Sequence, residues 1–155
     1  AVNFVKGECG QVKKWFTHTL DRRRNRMILI VGGAFQGKCD LAWKLSGMER
    51  EAFEKNRGDG ERDMPEVACE REFLTGFHRW IRQVMEKGES PKEFVDQVLA
   101  AGPRIVTMDE IGCGVVPISR QEREYREAAG YAGQRLAACA SQVYRVICSL
   151  PVQIK

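Results

Sequence analysis

The sequence predicts an α/β fold: a single domain built on a mainly parallel sheet with helices on both faces, of P-loop type. Three observations predict it. The apolar run Met27-Ile28-Leu29-Ile30-Val31 leads into a glycine-rich turn and a lysine, Gly32-Gly33-Ala34-Phe35-Gln36-Gly37-Lys38-Cys39. A second β-rich run, Arg104 to Met108, delivers Asp109 and Glu110, and a third, Val143 to Cys148, follows a long helix-patterned stretch. Strands separated by helix-patterned segments point to a parallel sheet with crossover helices.

The 155 residues suffice for one core. The net charge of +4 is unevenly spread: residues 1–26 carry seven Lys or Arg against two acids, and residues 27–155 carry eighteen against nineteen. The basic excess therefore belongs to an N-terminal extension, residues 1–26, and the domain at 27–155 is not predicted to bind nucleic acid. No stretch approaches eighteen apolar residues and no leader pattern opens the chain, so a cytoplasmic protein without a membrane span is expected. The six cysteines stand singly, without a C-x-x-C pair, and suggest neither zinc nor a disulfide framework.

The first strand and its turn carry the chemistry. Gly32, Gly37 and Lys38 fit G-x-x-x-x-G-K, in which backbone N–H groups of Gly32, Gly33, Ala34, Phe35, Gln36, Gly37, Lys38 and Cys39 would surround phosphates. Lys38 would neutralise the β- and γ-phosphates at a helix N-terminus. Cys39 stands where the motif has Ser or Thr, and sulfur is a poor ligand for a hard cation such as Mg2+.

A helix from about Asp40 is expected to end near Ser46-Gly47. Residues 48–72, rich in charge and turn formers, are expected to form a short helix and a loop, with room for hidden strands. Phe73, Phe77, Ile81 and Val84 or Met85 recur at helical spacing, with Gly88 as the stop. His78 and Trp80 fall on that helix as packing or surface residues. Ser90-Pro91-Lys92-Glu93 marks another helix start, and Gly102-Pro103 its close. Asp109 and Glu110 then sit at the carboxyl end of a strand, where ligands gather in open parallel sheets, and are the candidate magnesium holders. Ser119-Arg120-Gln121-Glu122 opens a long helix whose Ala128, Ala132, Leu136 and Ala140 form a small-residue face open to a subunit contact. The last strand is expected to end before Pro151.

The run Val106-Thr107-Met108-Asp109-Glu110-Ile111-Gly112-Cys113-Gly114-Val115-Val116-Pro117, with Arg123-Glu124-Tyr125-Arg126-Glu127, Gly130 and Gln134-Arg135-Leu136-Ala137, closely resembles the adenosylcobinamide kinase/adenosylcobinamide-phosphate guanylyltransferase family. Ile30 to Lys38 is similar to that family's phosphate loop. The resemblance covers residues 27–45 and about 104–155. It implies an oligomeric P-loop protein of cobalamin assembly. Such a protein phosphorylates the aminopropanol hydroxyl of adenosylcobinamide with ATP or GTP and Mg2+, then transfers GMP through a guanylylated histidine.

That histidine belongs to an R-I-x-x-H context between the loop and the middle strands. This chain has no histidine between Cys39 and Phe77. The reading is therefore a shortened member with Lys38, Asp109 and Glu110 as catalytic residues. It takes a corrinoid and a nucleoside triphosphate, forms a homo-oligomer and keeps phosphoryl transfer rather than guanylyl transfer. The alternative is a catalytically impaired relative that binds GTP, ATP or a corrinoid beside pathway enzymes.

Overall fold

The computed structural model describes residues 27–155. The expected N-terminal extension, with Trp15, Phe16 and His18, lies outside the described residues. Among them, six strands form one sheet in the order β2-β3-β4-β1-β5-β6. In chain order the elements are β1 (Ile28–Gly32), α1 (Lys38–Ser46), α2 (Arg50–Asn56), β2 (Arg57–Asp59), a 3-10 turn (Pro65–Cys69), β3 (Phe73–Thr75), α3 (Phe77–Glu86), α4 (Pro91–Ala101), β4 (Ile105–Asp109), α5 (Arg120–Cys139), β5 (Gln142–Ile147) and β6 (Leu150–Gln153). All neighbours pair in parallel except β5 with β6. The expected α/β class with a mainly parallel sheet is what the chain adopts.

The alternation of side chains along each strand divides the core in two. Leu29, Leu74, Val106, Met108 and Val143 face one cluster, with Trp80, Ile81, Val95, Val98, Ala132 and Leu136 from α3, α4 and α5. Ile30, Phe73, Ile105 and Val146 face the other, with Ala42 and Phe53 from α1 and α2. Helices thus cover both faces. The small residues of this face are largely consumed here: Ala132 and Leu136 are fully buried, Ala140 just past α5 nearly so, and Ala128 half-buried against the same cluster. The small-residue face packs inside its own subunit instead of offering a contact surface.

Three strands, β2, β3 and β6, are not among those predicted from the sequence, although β2 falls within 48–72, where room for hidden strands is expected. β2 and β3 have three residues each, too short for a period to declare itself. Phe73, expected to open a helix, is the first residue of β3. The helix begins four residues later at Phe77, after Gly76 turns the chain at φ 67°. The match of Phe73 to Phe77 at helical spacing was coincidental, since both bury their rings from different elements. The chain also continues past Cys148 into β6, with Pro151 inside it. Proline is tolerated there because β6 is an edge strand and its missing N–H costs no ladder bond. Ser90 caps α4 as expected, accepting the Glu93 N–H at 3.4 Å, whereas Ser119 precedes α5 without a side-chain cap bond.

The hairpin between β5 and β6 turns on Cys148 and Ser149, both at positive φ (50° and 63°), the sense that suits the right-handed twist of paired strands. It holds the loop after β1. Ser149 N–H donates to the Gln36 carbonyl at 3.0 Å, and Cys148 N–H donates to Gln36 Oε1. On the same side of the sheet as Val143, alternate positions of this hairpin leave Ile147, Leu150, Val152 and Ile154 exposed beyond the cover of α5.

Gly32 is fixed by close approach. A Cβ there would lie 2.5 Å from the Val146 carbonyl oxygen of the paired strand, and backbone cannot yield as a side-chain tip can. Gly32→Ala is expected to cost about 3 kcal/mol of unfolding free energy through forced displacement of β1 from β5. Urea denaturation measures it. A loss below about 1 kcal/mol would mean that the strand pair accommodates the methyl group.

Candidate functional site

The register of β1 on β4 places Gly32 directly beside Asp109, so the first glycine of the loop and the acid at the next strand end are neighbours by sheet geometry. Between them sits Lys38, the first residue of α1. Its ammonium is buried, 2.8 Å from Asp109 Oδ1, and donates to the Gly33 carbonyl at 2.5 Å. The lysine curls back over the loop and closes it upon itself.

The loop conformation demands particular residues. Gly37 takes φ 88°, a backbone angle that favours glycine, and a Cβ there would also require the Ser149 hydroxyl, 2.7 Å away, to swing aside. Phe35 holds φ 58°, uncommon for an aromatic residue, and its ring is fully exposed. Around the loop opens a cleft of about 370 Å³, lined by Ala34 to Asp40, Arg57, Asp59, Glu61, Thr75, Gly76, His78, Arg79, Thr107 and Asp109. Its floor is the carboxyl ends of β2, β3 and β4 and the start of α1. That is where an open parallel sheet binds ligands.

Of the residues singled out in sequence, Gly32, Gly33, Ala34, Phe35, Gln36, Gly37, Lys38 and Cys39 form one continuous turn, and Asp109 joins them. Glu110 is directed elsewhere. Its carboxylate is held by Arg145 on β5, at 2.9 Å from Nε and 3.0 Å from Nη2, and it does not line the cleft. Three of the four arginines of α5 are likewise engaged away from it: Arg120 with Glu124, Arg135 with Asp96, and Arg123 with the carbonyls of Pro117 and Ile118.

Cys39 is partly buried, and burial pushes its thiol above the ordinary range, so at neutral pH it is a neutral S–H. Protonated sulfur is a weaker metal ligand than thiolate. The oxygen donors in the cleft are Asp40, Asp59, Glu61, Thr75, Thr107 and Asp109, and the one imidazole there is His78. Among the described residues no group of three His, Cys, Asp or Glu could hold a metal unaided. Such a donor set fits Mg2+ that arrives on nucleotide phosphates and keeps several waters, needing one protein carboxylate. It does not fit a resident ion in a protein cage.

His78, read from sequence as a packing or surface residue, is a buried neighbour of this constellation. Its Nδ1 accepts the Asp109 backbone N–H at 3.1 Å, and its Nε2 lies 3.6 Å from Asp109 Oδ2. Burial lowers its pKa and outweighs the opposing pull of Asp109, with Arg79, Lys38 and Arg82 also lowering it. It is neutral at pH 7. No local motif announced it, because α3 and β4 are brought together only by the sheet. Nearby, Arg57 spans the cleft edge, bonded to Glu54, Asp59 and the Thr75 hydroxyl, and Arg79 meets Glu61 at 3.0 Å.

Residues 73–154, from β3 through β6, match the family model described as cobinamide kinase / cobinamide phosphate guanyltransferase. The chain belongs to this family. The cobinamide kinase family match lies downstream of the glycine-rich loop and includes His78, Asp109 and Glu110. The bifunctional adenosylcobalamin biosynthesis protein CobU of Escherichia coli is 35% identical over 81 residues, 49% of this chain and 44% of that protein. Its namesake in Salmonella typhimurium is 41% identical over 51 residues, 33% of this chain and 28% of that one. The matched segments thus span less than half of these relatives. No helix among the described residues is long and apolar enough to cross a membrane.

Proposed function

We propose that the chain is a phosphotransferase of cobalamin assembly that transfers a phosphoryl group from ATP or GTP to the hydroxyl of adenosylcobinamide. The observation that carries this reading is the juxtaposition of Lys38 and Asp109 at the mouth of a glycine-rich loop, inside a chain of the cobinamide kinase family. Gly32 to Cys39 would surround the donor phosphates with N–H groups, and the start of α1 would add its partial positive charge.

Lys38 and Asp109 pair with each other at 2.8 Å. Phosphate oxygens entering the loop offer Lys38 a stronger anion and draw it from Asp109. The freed carboxylate can then orient water or Mg2+. Mg2+ carried by the nucleotide would neutralise charge on the phosphates, with Asp109 as its holder and Glu110 able to contribute only by leaving Arg145. Lys38 stabilises charge developing on the transferred group. Phosphoryl transfer of this kind needs positioning and electrostatics, and no covalent intermediate with the protein. We assign no guanylyl transfer to the chain. The homo-oligomer is part of the same proposal, and the exposed Ile147, Leu150, Val152 and Ile154 face supports it; light scattering of the purified protein tests it.

The deciding experiment incubates purified protein with adenosylcobinamide, Mg2+ and either ATP or GTP, and reads corrinoid and intact protein by mass spectrometry. A corrinoid that gains phosphate alone is the expected product. A GMP-bearing corrinoid or guanylylated protein would refute the restriction to phosphoryl transfer, and no product with either nucleotide would refute the enzyme.

The second reading, a nucleotide- or corrinoid-binding relative without turnover, is favoured by one observation: the partly buried neutral thiol of Cys39 where a hydroxyl is called for. Cys39→Ser separates the two. For the kinase, the hydroxyl is a hard oxygen donor and turnover at limiting Mg2+ is expected to rise about tenfold. For the binder, nucleotide affinity is retained and turnover stays absent.

A further inference from the structure

We infer that His78 is a positioning residue for Asp109: it fixes both the backbone and the carboxylate orientation of that acid through a neutral imidazole protonated on Nε2. The inference rests on the phosphotransferase reading for its catalytic consequence, but its geometry stands separately.

Three contacts define the imidazole. Nδ1 accepts the Asp109 N–H at 3.1 Å, so its lone pair is engaged and the ring proton must reside on Nε2. Nε2 lies 3.6 Å from Asp109 Oδ2, too long for a direct hydrogen bond but close enough for its N–H dipole to favour the carboxylate. The backbone of the histidine is itself anchored, for the Tyr125 hydroxyl on α5 donates to the His78 carbonyl at 3.0 Å. Asp109 is therefore gripped from two sides. Lys38 holds Oδ1, and His78 holds the main chain while flanking Oδ2.

The consequence concerns the moment when Lys38 transfers to phosphate. Without His78, the carboxylate would lose its one charged partner and be free to rotate at the end of β4. With it, Oδ1 is vacated while the side chain keeps its direction into the cleft. This arrangement also opposes a nucleophilic role for His78. One nitrogen has its lone pair bonded to backbone and the other carries the proton, leaving no lone pair free for attack on a nucleotide phosphorus. A partner that orients a metal-binding group ordinarily contributes about 10- to 100-fold in metal affinity or activity.

The test has a readout independent of turnover. Nitrogen-15 NMR of the imidazole in the metal-free protein is expected to find the Nε2–H tautomer, with Nδ1 unprotonated; the opposite tautomer would overturn the assignment. Isothermal titration then measures the affinity for Mg2+-nucleotide, and the assay above measures the Mg2+ concentration for half-maximal turnover. His78→Asn keeps an acceptor oxygen near the Nδ1 position, whereas His78→Gln and His78→Leu do not. His78→Leu is expected to raise the half-saturating Mg2+ about tenfold or more, and His78→Asn to restore it to within about threefold of wild type. Should His78→Leu not fold, the comparison of His78→Asn with His78→Gln carries the same distinction. Equal Mg2+ dependence in all folded variants, or a guanylylated His78 in the intact-mass assay, would overturn the inference. If wild-type protein fails to phosphorylate adenosylcobinamide, the proposed function fails, while the tautomer still decides the geometry of His78.

Discussion

Lys38→Met is expected to lower phosphoryl transfer about a thousandfold, equivalent to about 4 kcal/mol of transition-state stabilisation. The methionine approximates the length and burial of the lysine stem but brings no charge. The loss should fall mainly on kcat, because negative charge on the transferred group is neutralised most strongly while bonds are changing. Nucleotide affinity should weaken less, since the loop N–H groups and the α1 N-terminus remain. Lys38→Arg is not expected to rescue activity: a planar guanidinium cannot fit the short reach that lets the ammonium touch both the Gly33 carbonyl and Asp109. Steady-state kinetics at saturating adenosylcobinamide check both. A drop of less than tenfold for Lys38→Met would remove the lysine from its proposed place in the reaction.

Trp80→Ala is expected to destabilise the fold by about 4 kcal/mol, lowering the thermal midpoint by roughly 10 °C. Trp80 is fully buried, meets Phe77 edge to face at 6.1 Å, and donates its indole N–H to the Asp63 carbonyl at 2.9 Å. Its ring also lies against the site where Gly58 of β2 has no side chain. One side chain thereby ties α3 to β2 and to the segment after it. Truncation would leave a cavity under the two shortest strands and leave the Asp63 carbonyl with only the long 3.4 Å bond from Gln83 Nε2. Calorimetry measures the shift. A change below about 3 °C would show that the neighbouring elements collapse into the space.

These two residues illustrate what could be read from sequence. Lys38 stood inside a motif whose glycines, lysine and preceding apolar strand are adjacent in the chain, and such local chemistry survives translation into structure. The helices beginning near Lys38, Pro91 and Arg120 were legible for the same reason, as their start signals and periodicities lie within one or two turns. Trp80 looked like an ordinary helix residue. Its role follows from β2 and β3, whose three residues are too few to advertise a period.

The sequence alone determined the α/β class, the glycine-rich loop and the arrival of an acid at a later strand end. Each depends on residues close together in the chain. Only the tertiary structure decided which groups meet. The parallel register of β1 and β4 sets Gly32 beside Asp109, the packing of α3 brings His78 beneath the same acid, and the salt bridge to Arg145 draws Glu110 away. The physical reason is that sheet pairing and helix packing join segments thirty to eighty residues apart, and no local pattern encodes the side-chain partners so created.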